Sequence, residues 1–267
     1  MTPDLIVGLI VLTLLLVLEG TVPFYVDRAH RVRHGLRNGS LALLNAGIGA
    51  LLAPLLVLAA ESSSRHQFGL LHQLGMPGIL GAVLAGVLTI VLFDLWMYGW
   101  HRANHRVPLL WRFHQVHHTD TAMDATTALR FHPGELLISS LLNPLVVFLL
   151  GIGLAQLTLY KALMLTVILL HHSNVALPAW LETRLRALIV PPSMHRVHHS
   201  RIPDETNSNY GSLFSFWDRL FGSFRLRSNL SQVQFGTGRH DEPEWQAVPK
   251  LLQLPLTETR VPESLPR

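Results

Sequence analysis

The 267-residue sequence predicts an all-α fold, an integral membrane helical bundle carrying a histidine-rich helical cap. Three observations predict it. Mean hydropathy is +0.33, and 14% of residues are charged, where soluble domains carry about 25%. The apolar residues are gathered into runs on the scale of the ~20 residues needed to cross ~30 Å of hydrocarbon. Eleven of the sixteen histidines fall between residues 101 and 199, ten of them in short clusters, a bias that needs a cause.

Residues 5–18, LIVGLIVLTLLLVL, are uncharged, and TVPFY extends the run past Glu19. The preceding MTPD lacks the positive charge of a signal peptide and no clean small-residue cleavage site follows, so a spanning helix is expected. A basic loop follows, with Arg28, Arg31, Arg33 and Arg37. Residues 41–60 give a second span, in which Asn45 and Pro54 favour packing against other helices. A polar loop over 61–77 leads to a third span, 78–100. Asp94 in it is costly in lipid and should face the protein interior. Trp96, Tyr98 and Trp100 fit an interfacial aromatic belt.

Residues 136–170 are almost continuously apolar, interrupted at Asn143-Pro144 and Gly151-Ile152-Gly153. Two helices with a tight turn near 151–156 fit best, as a hairpin that need not cross fully. The expected architecture is about three spanning helices plus this hairpin, in one membrane-embedded domain over 1–240. A Pro-rich tail over 241–267 is expected to pack poorly.

Lys and Arg set the orientation. The segments 20–40, 100–135 and 182–267 hold 19 of the 21. The positive-inside rule puts these in the cytoplasm, with the N-terminus and 61–77 outside. Every histidine cluster then faces the cytoplasm. The net charge of +4 is too small to argue for nucleic acid, and the chain has no cysteine for a disulfide, a thiolate zinc site or an iron–sulfur cluster.

The clusters are HRANH (His101, His105), HQVHH (His114, His117, His118) and HRVHH (His195, His198, His199), the last behind Pro191-Pro192-Ser193, which reads as a helix start. Spacings of four, three and one put imidazoles on one helical face or at its edge. Eight imidazoles are too many for one tetrahedral zinc with its four ligands, so a two-metal site is expected. His132 in RFHPGE and His171-His172 in HHSN are weaker candidates; His30, His34, His66, His72 and His240 read as surface residues.

In combination these motifs resemble the fatty acid hydroxylase/sterol desaturase superfamily of integral-membrane di-iron oxygenases. DLWMYGWHRANH, RFHPGE, HHSN and HRVHHSRIPDETNSNYGSLFSFWDRLFGSF carry the resemblance, over about residues 85–225. It implies two Fe ions, replaceable by Zn in preparations, that activate O2 to oxidise a C–H bond of a lipid or sterol-like substrate. It offers His101, His105, His114, His117, His118, His172, His195, His198 and His199 as ligands, with His132 and His171 less secure. Asp94, Asn209 and Asp218 match positions that support ligands. With no nucleotide fingerprint, electrons are expected from a separate reductase or small redox protein. A desaturase on the same scaffold, a His-rich membrane metal transporter and a metal-dependent hydrolase are the rivals. The compact length and lack of a dilysine-type signal suggest a bacterial inner membrane.

Overall fold

A computed structural model describes residues 2–26, 30–75 and 77–257; Arg28 and residues 258–267 of the expected tail lie outside the described residues. Among the described residues, five helices are long and apolar enough to cross a bilayer. The first is α1 (Pro3–Thr21), begun by a proline whose missing N–H is no loss in a first turn. It packs against the last of the five, and Asp4 pairs with Lys161 there at 2.8 Å.

Helix α2 (Arg31–His66) has 36 residues, about 54 Å at 1.5 Å per residue. That exceeds the hydrocarbon thickness and corrects two expected loops. Much of the basic stretch 20–40 is the start of this helix, and much of 61–77 is its end plus the one-turn α3 (Leu70–Gln73). The physical reason is packing beyond the apolar run: Asn38 is fully buried, and Ser63 Oγ donates to Phe68 O at 2.7 Å as the helix ends.

Helix α4 (Gly78–Arg106) runs through the third span to His101 and His105. Val107, in extended conformation, turns the chain, and Pro108 starts α5 (Pro108–His118) at once. A capped 3-10 turn over Ala125–Leu129 follows. The expected hairpin is α6 (Pro133–Leu150) and α7 (Leu154–His172), each long enough to cross. Pro144 is accommodated inside α6 rather than ending it. Gly151, at φ 77°, makes the turn, and its backbone lies so close to Gly69 that a Cβ on Gly69 would sit 2.3 Å from Gly151 N. Only glycine accepts that approach and that conformation without strain.

Short helices complete the cap: α8 (Ala179–Leu185), α9 (Pro192–His198), α10 (Pro203–Thr206), α11 (Phe216–Leu220) and α12 (Val248–Gln253). The described part of the tail is not loosely packed, which corrects that expectation. Leu251 and Leu254 are fully buried against Leu41 of α2 and Val116 of α5. A second core joins Ala60, Phe93, Val147, Tyr160 and Leu213 across the bundle. Leu43, Leu51, Ile79 and Leu80 on the long helices are exposed, as residues that face lipid would be. The aromatic belt is also corrected. Tyr98 and Trp100 are buried, Tyr98 stacking on Phe221 and bonding Ser223, while Trp96 Nε1 donates to Asn143 Oδ1 at 2.8 Å.

Candidate metal centre

The turn at Val107 folds α5 back on the end of α4, so HRANH and HQVHH face each other; the end of α7 and helix α9 close the other side. Two groups of imidazoles result. His101, His105, His114, His118 and His198 have ring nitrogens within 4.8 Å of one another, and so do His117, His172, His195 and His199. The groups adjoin, with the His118 and His199 rings stacked at 4.5 Å. All but His101 are buried.

Fixed acceptors decide which nitrogen of five rings carries the proton. His101 Nδ1 donates to Tyr210 O (2.9 Å), His117 Nδ1 to Arg130 O (3.3 Å), His172 Nδ1 to Ile168 O (2.7 Å) and His198 Nδ1 to Ser208 O (2.7 Å). His114 Nδ1 donates to Glu135 Oε1 at 3.0 Å. A carbonyl or carboxylate oxygen can only accept, so each neutral ring presents an Nε2 lone pair.

Those lone pairs point at one another. His172 Nε2 lies 3.0 Å from His117 Nε2 and 2.9 Å from His195 Nε2, and His199 Nε2 lies 3.1 Å from His195 Nε2. Between His117 and His172 no proton is left to bridge the gap. In the other group His114 Nε2, His198 Nε2 and both nitrogens of His105 and His118 are buried without a partner. An unmet buried polar atom costs about 1–3 kcal/mol, so this concentration is a poor way to build a metal-free core. It fits two cations well. Burial, reinforced by neighbouring imidazoles, holds His117, His118, His195 and His199 well below the usual histidine range and His198 down to about 3. Neutral imidazole is the form that ligates.

The structure brings together nine of the sequence-derived candidates and leaves two out. His171 stacks on His195 at 3.8 Å between ring centroids but belongs to neither group. His132 caps α6, accepting from Gly134 N at Nδ1 and donating to Leu252 O from Nε2. The expected supporting residues act less directly than the resemblance implied. Asp94 is fully buried as expected, yet it bonds no imidazole. It accepts from Tyr160 Oη, Leu213 N, Phe214 N and Trp217 Nε1. Asp218 accepts from Tyr210 N, Gly211 N and Ser223 Oγ. Asn209, at φ 53°, donates to Met194 O and Arg225 O. These three fasten the 208–217 segment, whose Ser208 and Tyr210 carbonyls hold His198 and His101. Gly211 belongs to the same device, since a Cβ there would meet Phe214 O at 2.6 Å.

Sequence reasoning missed Glu135 as the His114 acceptor, although RFHPGE contained it. It also misread His34. That ring bonds Asp120 Oδ1 at 2.7 Å from Nε2 and Asp124 Oδ2 at 3.0 Å from Nδ1, so it is no surface residue. Burial would raise the Asp120 carboxyl, but the His34 and Arg130 charges, with hydrogen bonds from His34 and Thr127, hold it well below the usual range. The spacing of His34 and Asn38, one turn apart ahead of an apolar run, was the available signal.

Beneath the histidines lies a cavity of about 320 Å³. Met97, Trp100, Phe131, Leu136, Met164 and Ile168 give it apolar walls, and His101, His114, His117, His172 and His195 reach into it.

Fold and site together define a helical membrane protein with two adjoining histidine groups, each able to hold a metal ion, over an apolar cavity. Residues 86–223 match the model of the fatty acid hydroxylase family, and the chain belongs to that family. It is 32% identical over 154 residues to ornithine lipid hydroxylase OlsE of Rhizobium tropici, covering 57% of this chain and 46% of that protein. To alkylglycerol monooxygenase of Danio rerio it is 28% identical over 207 residues, 72% of this chain and 42% of the relative. To a cholesterol 25-hydroxylase-like protein of Danio rerio it is 32% identical over 153 residues, 56% and 59% of the two chains. The chain thus spans less than two thirds of the length of these relatives. No solved structure matches it significantly.

Proposed function

We propose that this protein is a di-iron membrane monooxygenase that uses O2 to hydroxylate a C–H bond of a lipid or sterol-like substrate. The observation that carries the reading is the pair of adjoining histidine groups, rich in buried ring nitrogens without a partner, directly above an apolar cavity. His101, His105, His114, His118 and His198 would hold one iron, and His117, His172, His195 and His199 the other. Bound iron supplies the redox change and dioxygen activation that side chains lack. Membership of a family whose relatives are named lipid and sterol hydroxylases supports the choice of reaction.

The chain's own residues supply the rest. The Tyr210, Arg130, Ile168 and Ser208 carbonyls and Glu135 orient five rings and keep their protons on Nδ1. Trp100, Phe131 and Ile168 give the reacting carbon an apolar environment that excludes water, which limits side reactions. The catalytic domain runs over residues 1–240, with the segment after 241 bracing α5. The site faces the cytoplasm of a bacterial inner membrane, where a separate reductase or small redox protein delivers electrons.

The test is reconstitution of metal-free protein in lipid with a reductant and either Fe²⁺ or Zn²⁺. Zn²⁺ has no redox chemistry and works as a Lewis acid. Turnover of lipid with Fe²⁺ in air, and none with Zn²⁺ or without oxygen, is expected. Full turnover with Zn²⁺ under anaerobic conditions would remove the oxygenase reading in favour of a hydrolase.

A further inference from the structure

The cavity beneath the histidines is apolar in its walls but not in its fittings. Three side chains from three helices line it, each with an oxygen that is buried and has no hydrogen-bond partner: Asn45 Oδ1 of α2, Asn104 Oδ1 of α4 and Glu135 Oε2 of α6. Their orientations are set by the bonds their other atoms make. Asn45 Nδ2 donates to Phe131 O at 2.9 Å, and Asn104 Nδ2 donates to Glu135 Oε1 at 3.3 Å. The free atoms are therefore acceptors. Asn104 is 1% exposed and Glu135 7%.

We propose that the cavity takes a lipid bearing an uncharged hydrogen-bond donor, a hydroxyl or an amide N–H, close to the carbon that is oxidised, and that Asn45, Asn104 and Glu135 receive this donor. This deepens the oxygenase reading and rests on it for the words "that is oxidised". A bare hydrocarbon tail would leave three acceptors unmet at about 1–3 kcal/mol each. A cationic donor fits less well. Met97, Trp100 and Phe131 would strip its hydration, and Glu135 is the one carboxylate among the lining residues to offset that cost. Proximity follows from Glu135 itself, which is one imidazole's width from the His114 Nε2 that would hold the metal. At about 320 Å³ the cavity lies at the small end of the ~300–1,000 Å³ usual for ligand pockets. It accommodates the donor-bearing segment while the remaining chain stays among the lipids.

The test uses full-length, iron-loaded protein in lipid nanodiscs and two matched probe pairs. One is a long-chain 1,2-diol and its di-O-methyl ether; the other is a long-chain secondary amide and its N-methyl counterpart. Equilibrium binding is measured by calorimetry without reductant, then oxidation is measured with reductant and air. We expect the donor-bearing member of one pair or both to bind at least fivefold more tightly, the pair that discriminates identifying hydroxyl or amide. In Asn45→Leu and Asn104→Leu, checked for unchanged metal content, that ratio should shrink toward one. Binding ratios below fivefold in both pairs overturn the proposal, and this wild-type result stands even if a variant misfolds. Discrimination retained undiminished in both variants also overturns the assignment. A binding preference without oxidation supports the acceptor site and refutes the oxygenase reading. Oxidation of both members without a binding preference does the reverse.

Discussion

His114 is held by a carboxylate, whereas four other candidate ligands are held by backbone carbonyls. Loss of such an outer partner typically costs 10–100-fold in metal affinity. Glu135→Leu should therefore weaken the five-histidine group by about that factor and leave the four-histidine group intact. Metal content at limiting free iron should fall from two toward one per chain; retention of two would show that Glu135 does not support the site. A pH effect follows from the depressed imidazoles. His117, His118, His195, His198 and His199 are neutral in the fold, with His198 at about 3, but titrate near 6.5 when the chain unfolds. Below about 6.5 the unfolded state binds more protons, so stability is lost as the pH drops. Metal-free protein in detergent should melt at a lower temperature at pH 5 than at pH 7.5. An unchanged or higher melting temperature at pH 5 would contradict the burial of these rings. Sequence legibility ended at this scale. Spacing marked eight of the nine histidines and the family resemblance added His172, but neither gave their division. His114 pairs with His118 and His195 with His199, as one helical face requires, while His117 and His198 cross to the opposite group. Backbone carbonyl partners have no signature in a sequence.

Among the helices, apolar runs located all five long ones but not their ends. Helix α2 extends beyond its apolar run at both ends because polar residues continue it: Asn38 Nδ2 donates to Thr126 Oγ1 and Asp120 Oδ2, and Ser63 caps the far end. Composition also misjudged the described part of the segment after 241, since prolines are compatible with short turns that pack. Pro249 lies within the first turn of α12 and Pro255 within the 3-10 turn after it. Leu251 there is fully buried against Leu41 and Val116, on the helix that carries HQVHH. Leu251→Ala should cost about 2–5 kcal/mol, the range for truncating a buried leucine. A fall in thermal midpoint with metal content retained on folded protein is expected; an unchanged midpoint would mean that this segment does not brace α5.

For the whole molecule, the absence of cysteine makes topology directly measurable. Cysteine placed at exposed Arg239 should react with an impermeant reagent from the cytoplasmic side, and at exposed Gln73 from the other. The reverse pattern would invert the proposed orientation, which rests on the 19-of-21 distribution of Lys and Arg. The central claim concerns chemistry: oxygen from O2 enters a lipid C–H bond at the polyhistidine centre. It is tested most directly by turnover of the iron-loaded protein under ¹⁸O₂, with mass spectrometry of the lipid product. The account predicts that the new hydroxyl carries the heavy isotope, and that His118→Ala protein, still in the membrane, yields no labelled product. A product whose hydroxyl oxygen comes from water, or one formed equally without oxygen, would contradict it.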